Sequence, residues 1–175
     1  LPQTFHLSLH AESYKVIMTL LTHCDNTIKT ELLYAIRRKF LELSRTKNGN
    51  LVAQKLVEMV PAQQKKEIAE MFTIGADEDE LMDTGKHIFG NRVLSKLCEY
   101  SMCVEALEDV LMPAIPGLSA HAHGQHVVSR LIDSSDEGAA MVIKSLFPSG
   151  KPEDTEACEE IIDALPESTV LASLL

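Results

Sequence analysis

The sequence predicts an all-α fold, a solenoid of about four similar helical units closed by a C-terminal capping helix. Three observations support this prediction. Four short segments can be aligned with one another, each has apolar residues at helical spacing, and no segment alternates apolar and polar residues over the length of a strand. A unit repeated every few dozen residues is typical of a stack of modules, which presents an extended surface to a partner.

The aligned segments cover residues 7–21, 43–57, 84–98 and 118–132. They align on four anchor residues, Ser13, Gly49, Gly90 and Gly124. Every segment has Val three residues after its anchor and Leu seven residues after it. Three segments also have His three residues before the anchor, at positions 10, 87 and 121. Periodicity alone would not fix these identities, so the segments are predicted to be repeats rather than parts of an ordinary helical bundle.

Each unit is expected to contain two helices. The first begins at the anchor and has apolar residues three, four, seven and eight positions later, as at Val16, Ile17, Leu20 and Leu21. This spacing places them on one helical face, which is expected to turn toward the core. The second helices are predicted over residues 27–42, 61–72, 103–111 and 137–146.

Turn residues indicate where the helices begin and end. Gly or Ser at the anchor suits the turn before a helix. Pro61 suits a first helical turn, whereas Pro113, Pro116 and Pro148 are expected to end or separate helices. The acidic run at residues 76–80 is predicted to be a loop insertion.

One domain is predicted for residues 1–175, with a last helix that starts near Pro152 and includes residues 157–165. The predicted units and cap cover residues 5–42, 43–74, 79–112, 118–147 and 152–175. No apolar run approaches the ~20 residues that span a membrane. Leu rather than Met at position 1 is expected of an excised or processed chain. Four cysteines without a C-x-x-C pair indicate reduced thiols, and Cys98 occupies a predicted core position.

Charge is distributed unevenly along a chain whose net charge is −10. Residues 1–70 contain 10 Lys and Arg and 7 Asp and Glu, a net charge of +3, whereas residues 71–175 carry −13. The basic side is centred on eight of these ten cations, Arg37, Arg38, Lys39, Arg45, Lys47, Lys55, Lys65 and Lys66. The basic part suits an anionic partner, and the acidic part is expected to repel phosphate unless it lies on the convex side of the solenoid or binds something else.

Catalytic and metal sites are not predicted. His121, His123 and His126 could supply three imidazoles to zinc. However, His121 occupies the position shared with His10 and His87, which predicts a recurring structural role such as a hydrogen bond across the turn. The sequence has no glycine-rich phosphate loop and no G-x-S-x-G or H-E-x-x-H motif, so we expect neither an enzyme nor a cofactor.

Two segments resemble repeats of the Pumilio (PUF) family, GNLVAQKLVE at residues 49–58 and HIFGNRVLSK at residues 87–96. The length of the repeated unit is similar to that of the family, and the resemblance covers about residues 5–147. It identifies the chain as a divergent member or as a fragment of a longer array. It implies a right-handed α-solenoid whose inner helices bind single-stranded RNA, one base per repeat.

The resemblance also implies which residues contact RNA, because family members use the positions one, two and five residues after the anchor. Asn50 and Gln54 can each donate and accept a hydrogen bond, and in the PUF pattern this pair implies uracil. Arg92 and His126 stand where a planar side chain stacks between bases. The predicted RNA-binding residues are Asn50, Leu51, Gln54, Asn91, Arg92, Ser95, Gln125, His126, Ser129 and Lys15.

The function implied is RNA binding with a role in post-transcriptional regulation or in RNA processing such as ribosome biogenesis. A cytoplasmic location is expected, with the nucleolus as the alternative. A second hypothesis is a scaffold for protein–protein interaction, in which the PUF-like surface or the acidic C-terminal half docks a protein partner.

Overall fold

The computed structural model describes residues 3–73 and 78–148 together with Val170, and within them it contains helices and no strand. The all-α prediction is therefore confirmed. The predicted capping helix lies outside the described residues, apart from the buried Val170. The helices are α1 (Thr4–Leu9), α2 (Tyr14–His23), α3 (Asn26–Ile36), α4 (Phe40–Ser44), α5 (Gly49–Met59), α6 (Ala62–Glu70), α7 (Glu78–Lys86), α8 (Gly90–Leu97), α9 (Ser101–Ser119), α10 (Gln125–Ser134) and α11 (Asp136–Leu146).

The longer helices form two rows. In the front row α2 packs on α5, α5 on α8 and α8 on α10. The back row consists of α3, α6, α9 and α11, in which α6 packs on α9 and α9 on α11. Buried apolar side chains from both rows form one continuous core. Within the described part of the chain, no helix has the length and apolar character needed to cross a membrane.

The front helices bury their predicted apolar faces with one exception. Val52, Val93 and Val127 are fully buried, but Val16 is 59% exposed. The helix α2 buries the neighbouring Ile17 instead. The helices α5, α8 and α10 each have a preceding front helix to pack on, whereas α2 is the first front helix of the described chain. The prediction that the apolar face of each front helix turns toward the core is therefore wrong for Val16.

The anchor glycines are required by a close approach of the backbone. A Cβ atom at Gly90 would lie 2.5 Å from the carbonyl oxygen of Thr84, six residues earlier, and one at Gly124 would lie 2.5 Å from that of Leu118. Gly49 has the same contact with the carbonyl six residues before it. The recurring glycine thus reflects the close packing of α5, α8 and α10 against the last turns of the helices that precede them, α4, α7 and α9.

The helix α9 runs unbroken through Pro113 and Pro116, so the prediction that these prolines end or separate helices is wrong. Pro116 has no N–H to donate to the carbonyl of Met112, four residues earlier. The hydroxyl of Ser145 on α11 donates to that oxygen at 2.8 Å. A side chain from the neighbouring helix therefore replaces the missing backbone hydrogen bond.

The helix predicted over residues 27–42 is divided. The helix α3 ends at Ile36, a 3-10 turn covers Arg37–Lys39, and α4 begins at Phe40. Phe40 is buried and its ring meets that of Phe72 edge-on, with 6.5 Å between ring centroids. The break lets Phe40 enter the core beside the second unit.

The acidic run differs from the predicted loop insertion. Glu78 begins α7, so the last three residues of the run form its first turn. Ala76 and Asp77 lie outside the described residues.

Arg45 links the second and third units. Its guanidinium Nε donates to Thr84 Oγ1 at 2.9 Å, and Nη2 donates to the carbonyl oxygen of Glu80 at 3.0 Å. The Glu80 carboxylate also lies 3.4 Å from Nη2. This cation of the basic part is therefore engaged within the protein.

Lys65 links the same units on the back row. Its ammonium donates to the carbonyl oxygens of Val57 and Glu58 at the end of α5, the latter at 2.7 Å. It also lies 4.1 Å from the centroid of the Tyr100 ring at the start of α9. Burial is the main cause that lowers the pKa of Lys65 below its ordinary value.

The described cysteines are free thiols. Cys98 is buried as predicted, and burial raises its pKa to about 12. Burial also raises the pKa of Cys103, to about 11. Both side chains are therefore protonated core residues at neutral pH.

Candidate nucleic-acid interface

The turn before each front helix is held by a side chain three residues before the anchor. His87 Nδ1 accepts hydrogen bonds from the backbone N–H groups of Phe89 at 3.1 Å and Gly90 at 3.4 Å. His121 makes the same two bonds with the residues two and three positions later, at 3.2 and 3.4 Å. The predicted hydrogen bond across the turn is confirmed.

The first two units use variants of this arrangement. His10 Nδ1 accepts from the N–H of Glu12 at 3.3 Å. In the second unit Thr46 replaces histidine, and its Oγ1 accepts from the N–H of Gly49 at 3.1 Å. The position therefore needs a hydrogen-bond acceptor rather than an imidazole.

The histidines of the third and fourth units must be neutral to accept at Nδ1, because both ring nitrogens of a charged imidazole are donors. Burial, followed by the nearby charges of Arg45 and His123, lowers the pKa of His87 below its ordinary value of 6.5. Burial and then Lys86 and His123 lower the pKa of His121 in the same direction. Both effects keep the turn-forming state populated at neutral pH.

Asparagine after the anchor braces the same turns. Asn50 is 1% exposed, and its Nδ2 donates to the carbonyl oxygens of Thr46 at 2.9 Å and Lys47 at 2.8 Å. Asn91 is 5% exposed and donates to the carbonyl oxygen of His87 at 2.7 Å. Asn50 was expected as an open side chain on the inner surface, and the structure places its amide inside the turn.

The two glutamines of the predicted set also bond locally. Gln54 Nε2 donates to Asn50 Oδ1 at 2.9 Å. Gln125 Nε2 donates to the carbonyl oxygen of Ala122 at 3.3 Å. The predicted Asn50–Gln54 pair is thus joined in the second unit, with Asn50 held by the backbone and Gln54 held by Asn50.

A groove of about 790 Å³ lies along α8 and α10. It brings together six of the ten predicted RNA-binding residues, Gln54, Asn91, Arg92, Ser95, His126 and Ser129. The other four, Asn50, Leu51, Gln125 and Lys15, do not line it. RNA contact by the ten residues stays a prediction, but the third and fourth units supply most of the common surface.

The groove offers planar side chains in corresponding places of two units and contains a buried serine hydroxyl in one of them. Arg92 and His126 each stand two residues after an anchor, and both side chains are exposed. Ser95 stands five residues after its anchor, and its buried Oγ has no hydrogen-bond partner among the described residues. A guanidinium and an imidazole can stack on bases, and a hydroxyl can donate to or accept from a base edge.

Other groove residues were missed by the sequence analysis. They are Ile88, Lys96, Glu99, His123, Arg130 and Asp133. Lys96 Nζ lies 2.7 Å from a Glu99 carboxylate oxygen, and Arg130 Nε lies 3.8 Å from the other. A signal was present, because the second to fourth units each have a cation six residues and a carboxylate nine residues after the anchor.

Lys15 lies away from this groove, in the first unit. Its Nζ is 2.9 Å from a carboxylate oxygen of Glu12, and both side chains are exposed. The Glu12 partner raises the pKa of Lys15 above its ordinary value. Lys15 is therefore charged, and it stands apart from Arg92 and His126.

The three histidines of the fourth unit do not form a metal site in this structure. His121 directs Nδ1 to the turn, and its ring centroid lies 5.9 Å from that of His123. In the part of the chain that the structure describes, no three His, Cys, Asp or Glu side chains are grouped as metal ligands.

Comparison with protein families identifies one repeat. Residues 39–71, which include α4 to α6, match the family model described as the Pumilio-family RNA binding repeat. No curated protein sequence matches the chain significantly.

Solved structures with a similar fold are PUF domains. The RNA-binding domain of yeast Puf5p bound to SMX2 RNA superposes with a TM-score of 0.75 at 19% sequence identity, covering 99% of this chain and 51% of that one. PUF-8 in complex with PBE-RNA superposes with a TM-score of 0.72 at 17% sequence identity, covering 98% of this chain and 50% of that one. The Puf4 RNA binding domain, bound to a 3′ UTR recognition sequence of HO endonuclease RNA, superposes with a TM-score of 0.70 at 17% sequence identity. The match covers 91% of this chain and 54% of that one.

The chain thus spans about half the length of these similar structures. At such identities the likeness shows the fold alone. Together with the match in the second unit, it leads to one conclusion: residues 39–71 are similar to the Pumilio-type repeat, and they lie in a helical solenoid with the fold of PUF domains.

Proposed function

We propose that this chain binds single-stranded RNA through the groove along α8 and α10, and that it acts by binding rather than by catalysis. The observation that carries the proposal is the placement of Arg92 and His126 at the same offset in consecutive units of one groove. The match of residues 39–71 to an RNA binding repeat supports it, as do the RNA-bound domains that share the fold.

The charge of the groove supports an anionic ligand. Arg92, Lys96 and Arg130 are cations, and Glu99 and Asp133 are the carboxylates among its lining residues. The lining therefore has a small positive excess within a chain of net charge −10. Hydrophobic contact is available as well, because the side chain of Ile88 is 51% exposed beside the polar groups. Such a surface suits bases stacked between Arg92 and His126.

The proposal predicts that single-stranded RNA binds at low salt and is weakened by Arg92→Ala and by His126→Ala. Loss of one stacked base costs about 1–3 kcal/mol, so each variant should weaken binding by at least about fivefold. Fluorescence anisotropy with labelled U-rich and A-rich strands, at low and moderate salt, measures this effect. It also tests the uracil preference that was predicted from Asn50 and Gln54.

Lys66→Ala is the matched control, because it removes a cation from the exposed surface of the back-row helix α6. It should change the affinity by less than about twofold. No binding of either strand at low salt would reject the proposal. Equal losses in Lys66→Ala and Arg92→Ala would show that only net charge matters. If RNA is bound, we propose a role in post-transcriptional regulation or RNA processing.

A second proposal is protein docking on the acidic half, and a second groove favours it. This groove, of about 610 Å³, lies along the back helices α9 and α11. Val104 and Met141 are buried lining residues, and Glu105, Glu108 and Glu137 are exposed lining carboxylates. The combination suits a basic partner segment with an apolar residue. Failure of RNA binding in the titration would favour this second function.

A further inference from the structure

We propose that the Glu99 carboxylate competes with RNA phosphate for two cations of the α8–α10 groove, because it already forms ion pairs with both of them. The inference rests on the proposed RNA-binding function. It assigns to Glu99 a role in setting affinity and salt dependence rather than in reading bases.

The geometry places one carboxylate between two units. Glu99 follows the end of α8, with one oxygen 2.7 Å from Lys96 Nζ on α8 and the other 3.8 Å from Arg130 Nε on α10. Hydrogen bonding to Glu99 raises the pKa of Lys96, which shows that the two charges interact closely. Glu99 thus pairs with a cation from each of the two units that line the groove, and its single negative charge offsets one of their two positive charges.

The remaining groove charges make this neutralisation important. Arg92 is the third cation of the lining and has no ion-pair partner among the described residues. Asp133 is the other lining carboxylate, and it has no ion pair within the same part of the chain. With Glu99 in place, Arg92 is the lining cation that meets a phosphate without competition from an ion pair among the described residues. Without its charge, Lys96 and Arg130 would join Arg92.

A purely structural role explains Glu99 less well. The side chains of Lys96, Glu99 and Arg130 are 27%, 32% and 49% exposed. Ion pairs with this degree of exposure contribute little to folding stability because solvent screens them. A phosphate can replace the carboxylate at the same cations, since both groups accept hydrogen bonds from ammonium and guanidinium.

The test compares Glu99→Gln with Glu42→Gln. Glu42 also belongs to an i,i+3 ion pair, 3.7 Å from Lys39 Nζ, but it lines another groove beside the second unit. Both variants change the net charge equally. Anisotropy with a U-rich single strand measures affinity from low to moderate salt, and the salt needed to elute each protein from heparin measures binding to a polyanion other than RNA.

We expect Glu99→Gln to bind RNA about three- to tenfold more tightly than the unmodified chain. Its dependence of log K on log salt should steepen by about 0.7–1.4, the effect of one or two added phosphate contacts on a single strand. It should also elute from heparin at higher salt. Glu42→Gln should stay within about twofold in affinity and elute with the unmodified chain.

Three results would overturn the inference. They are an unchanged RNA affinity in Glu99→Gln, an equal gain in Glu42→Gln, and elution of both variants at the same salt from heparin. The proposed function fails separately. If Glu99→Gln alone is retained longer on heparin while no variant binds RNA, the carboxylate does mask the two cations, but the ligand of the groove is not RNA.

Discussion

Polar side chains around the front helices serve the backbone before they can serve a ligand. His87 and His121 accept from the N–H groups of the turns, and Asn91 donates to a carbonyl of the same turn. The open positions are two residues after the anchors, where Arg92 and His126 are exposed. A residue that supports the turn and a residue that we propose to bind RNA are therefore direct neighbours in the sequence.

A pH dependence of stability follows from the histidine turns. Because the pKa of His87 is below 6.5 in the folded chain, the unfolded chain binds more protons as the pH falls below 6.5. The stabilisation is present above that pH and is lost as the pH falls through the folded pKa. The free energy of unfolding, measured with urea, should therefore fall less between pH 7.5 and pH 5.5 for His87→Thr than for the unmodified chain.

Threonine is the informative replacement, because Thr46 already accepts the equivalent N–H in the second unit. His87→Thr should change the stability at pH 7.5 by no more than about 1 kcal/mol. His23→Thr, which replaces an exposed histidine near the end of α2, is the control for the loss of an imidazole outside the turns. If the pH dependence of stability were reduced equally in both variants, its assignment to the His87 turn would be contradicted.

The sequence was sufficient to predict the repeated residues of the site and one of their roles. The shared histidine position predicted a hydrogen bond across the turn, and the offsets from the anchor predicted six residues that line the groove. The burial of Asn50 was not predictable, because a helical period does not tell whether an amide turns outward or back to the preceding carbonyls. The role of Glu99 depends on Arg130, which is distant in the chain.

Among the elements, α9 shows how a neighbouring helix can override a local signal. Two prolines predicted a break, yet the helix continues from Ser101 to Ser119. The hydroxyl of Ser145 supplies the hydrogen bond that Pro116 cannot make. This contact is tertiary, so the sequence around the prolines gave no indication of it. The helical periodicity and the all-α class, by contrast, are local properties and were predicted correctly.

Ser145→Ala should destabilise the chain by about 1–3 kcal/mol, because it leaves the carbonyl oxygen of Met112 without its donor. The cost should fall below about 1 kcal/mol in a Pro116→Ala background, where the new N–H can bond to that carbonyl. A double-mutant cycle from urea unfolding measures this coupling. Additive effects of the two substitutions would show that Ser145 does not compensate for Pro116.

At the scale of the whole molecule, cations join the units. Arg45 bonds to Thr84 in the next unit, and Lys65 connects the end of α5 with Tyr100 at the start of α9. In a stacked repeat protein each unit contacts its neighbours, so stability depends on such interfaces as well as on each unit. Some cations of the basic part thus hold neighbouring units together, which the net charge of this part alone did not indicate.

Lys65→Met should lower the free energy of unfolding by about 1–3 kcal/mol, because two carbonyl oxygens at the end of α5 lose their donor. Lys66→Met is the control at the exposed neighbouring residue, and its effect should stay within about 0.5 kcal/mol. Urea unfolding followed by circular dichroism measures both variants. Equal effects would contradict a linking role for Lys65.

The enclosed amide of Asn50 restricts which substitutions the second unit can accept at this position. A substitution at this position would disturb the turn before α5. A change in ligand preference could then not be separated from a loss of folding stability. Substitutions intended to change ligand binding should begin at exposed side chains, and Arg92 and His126 are exposed.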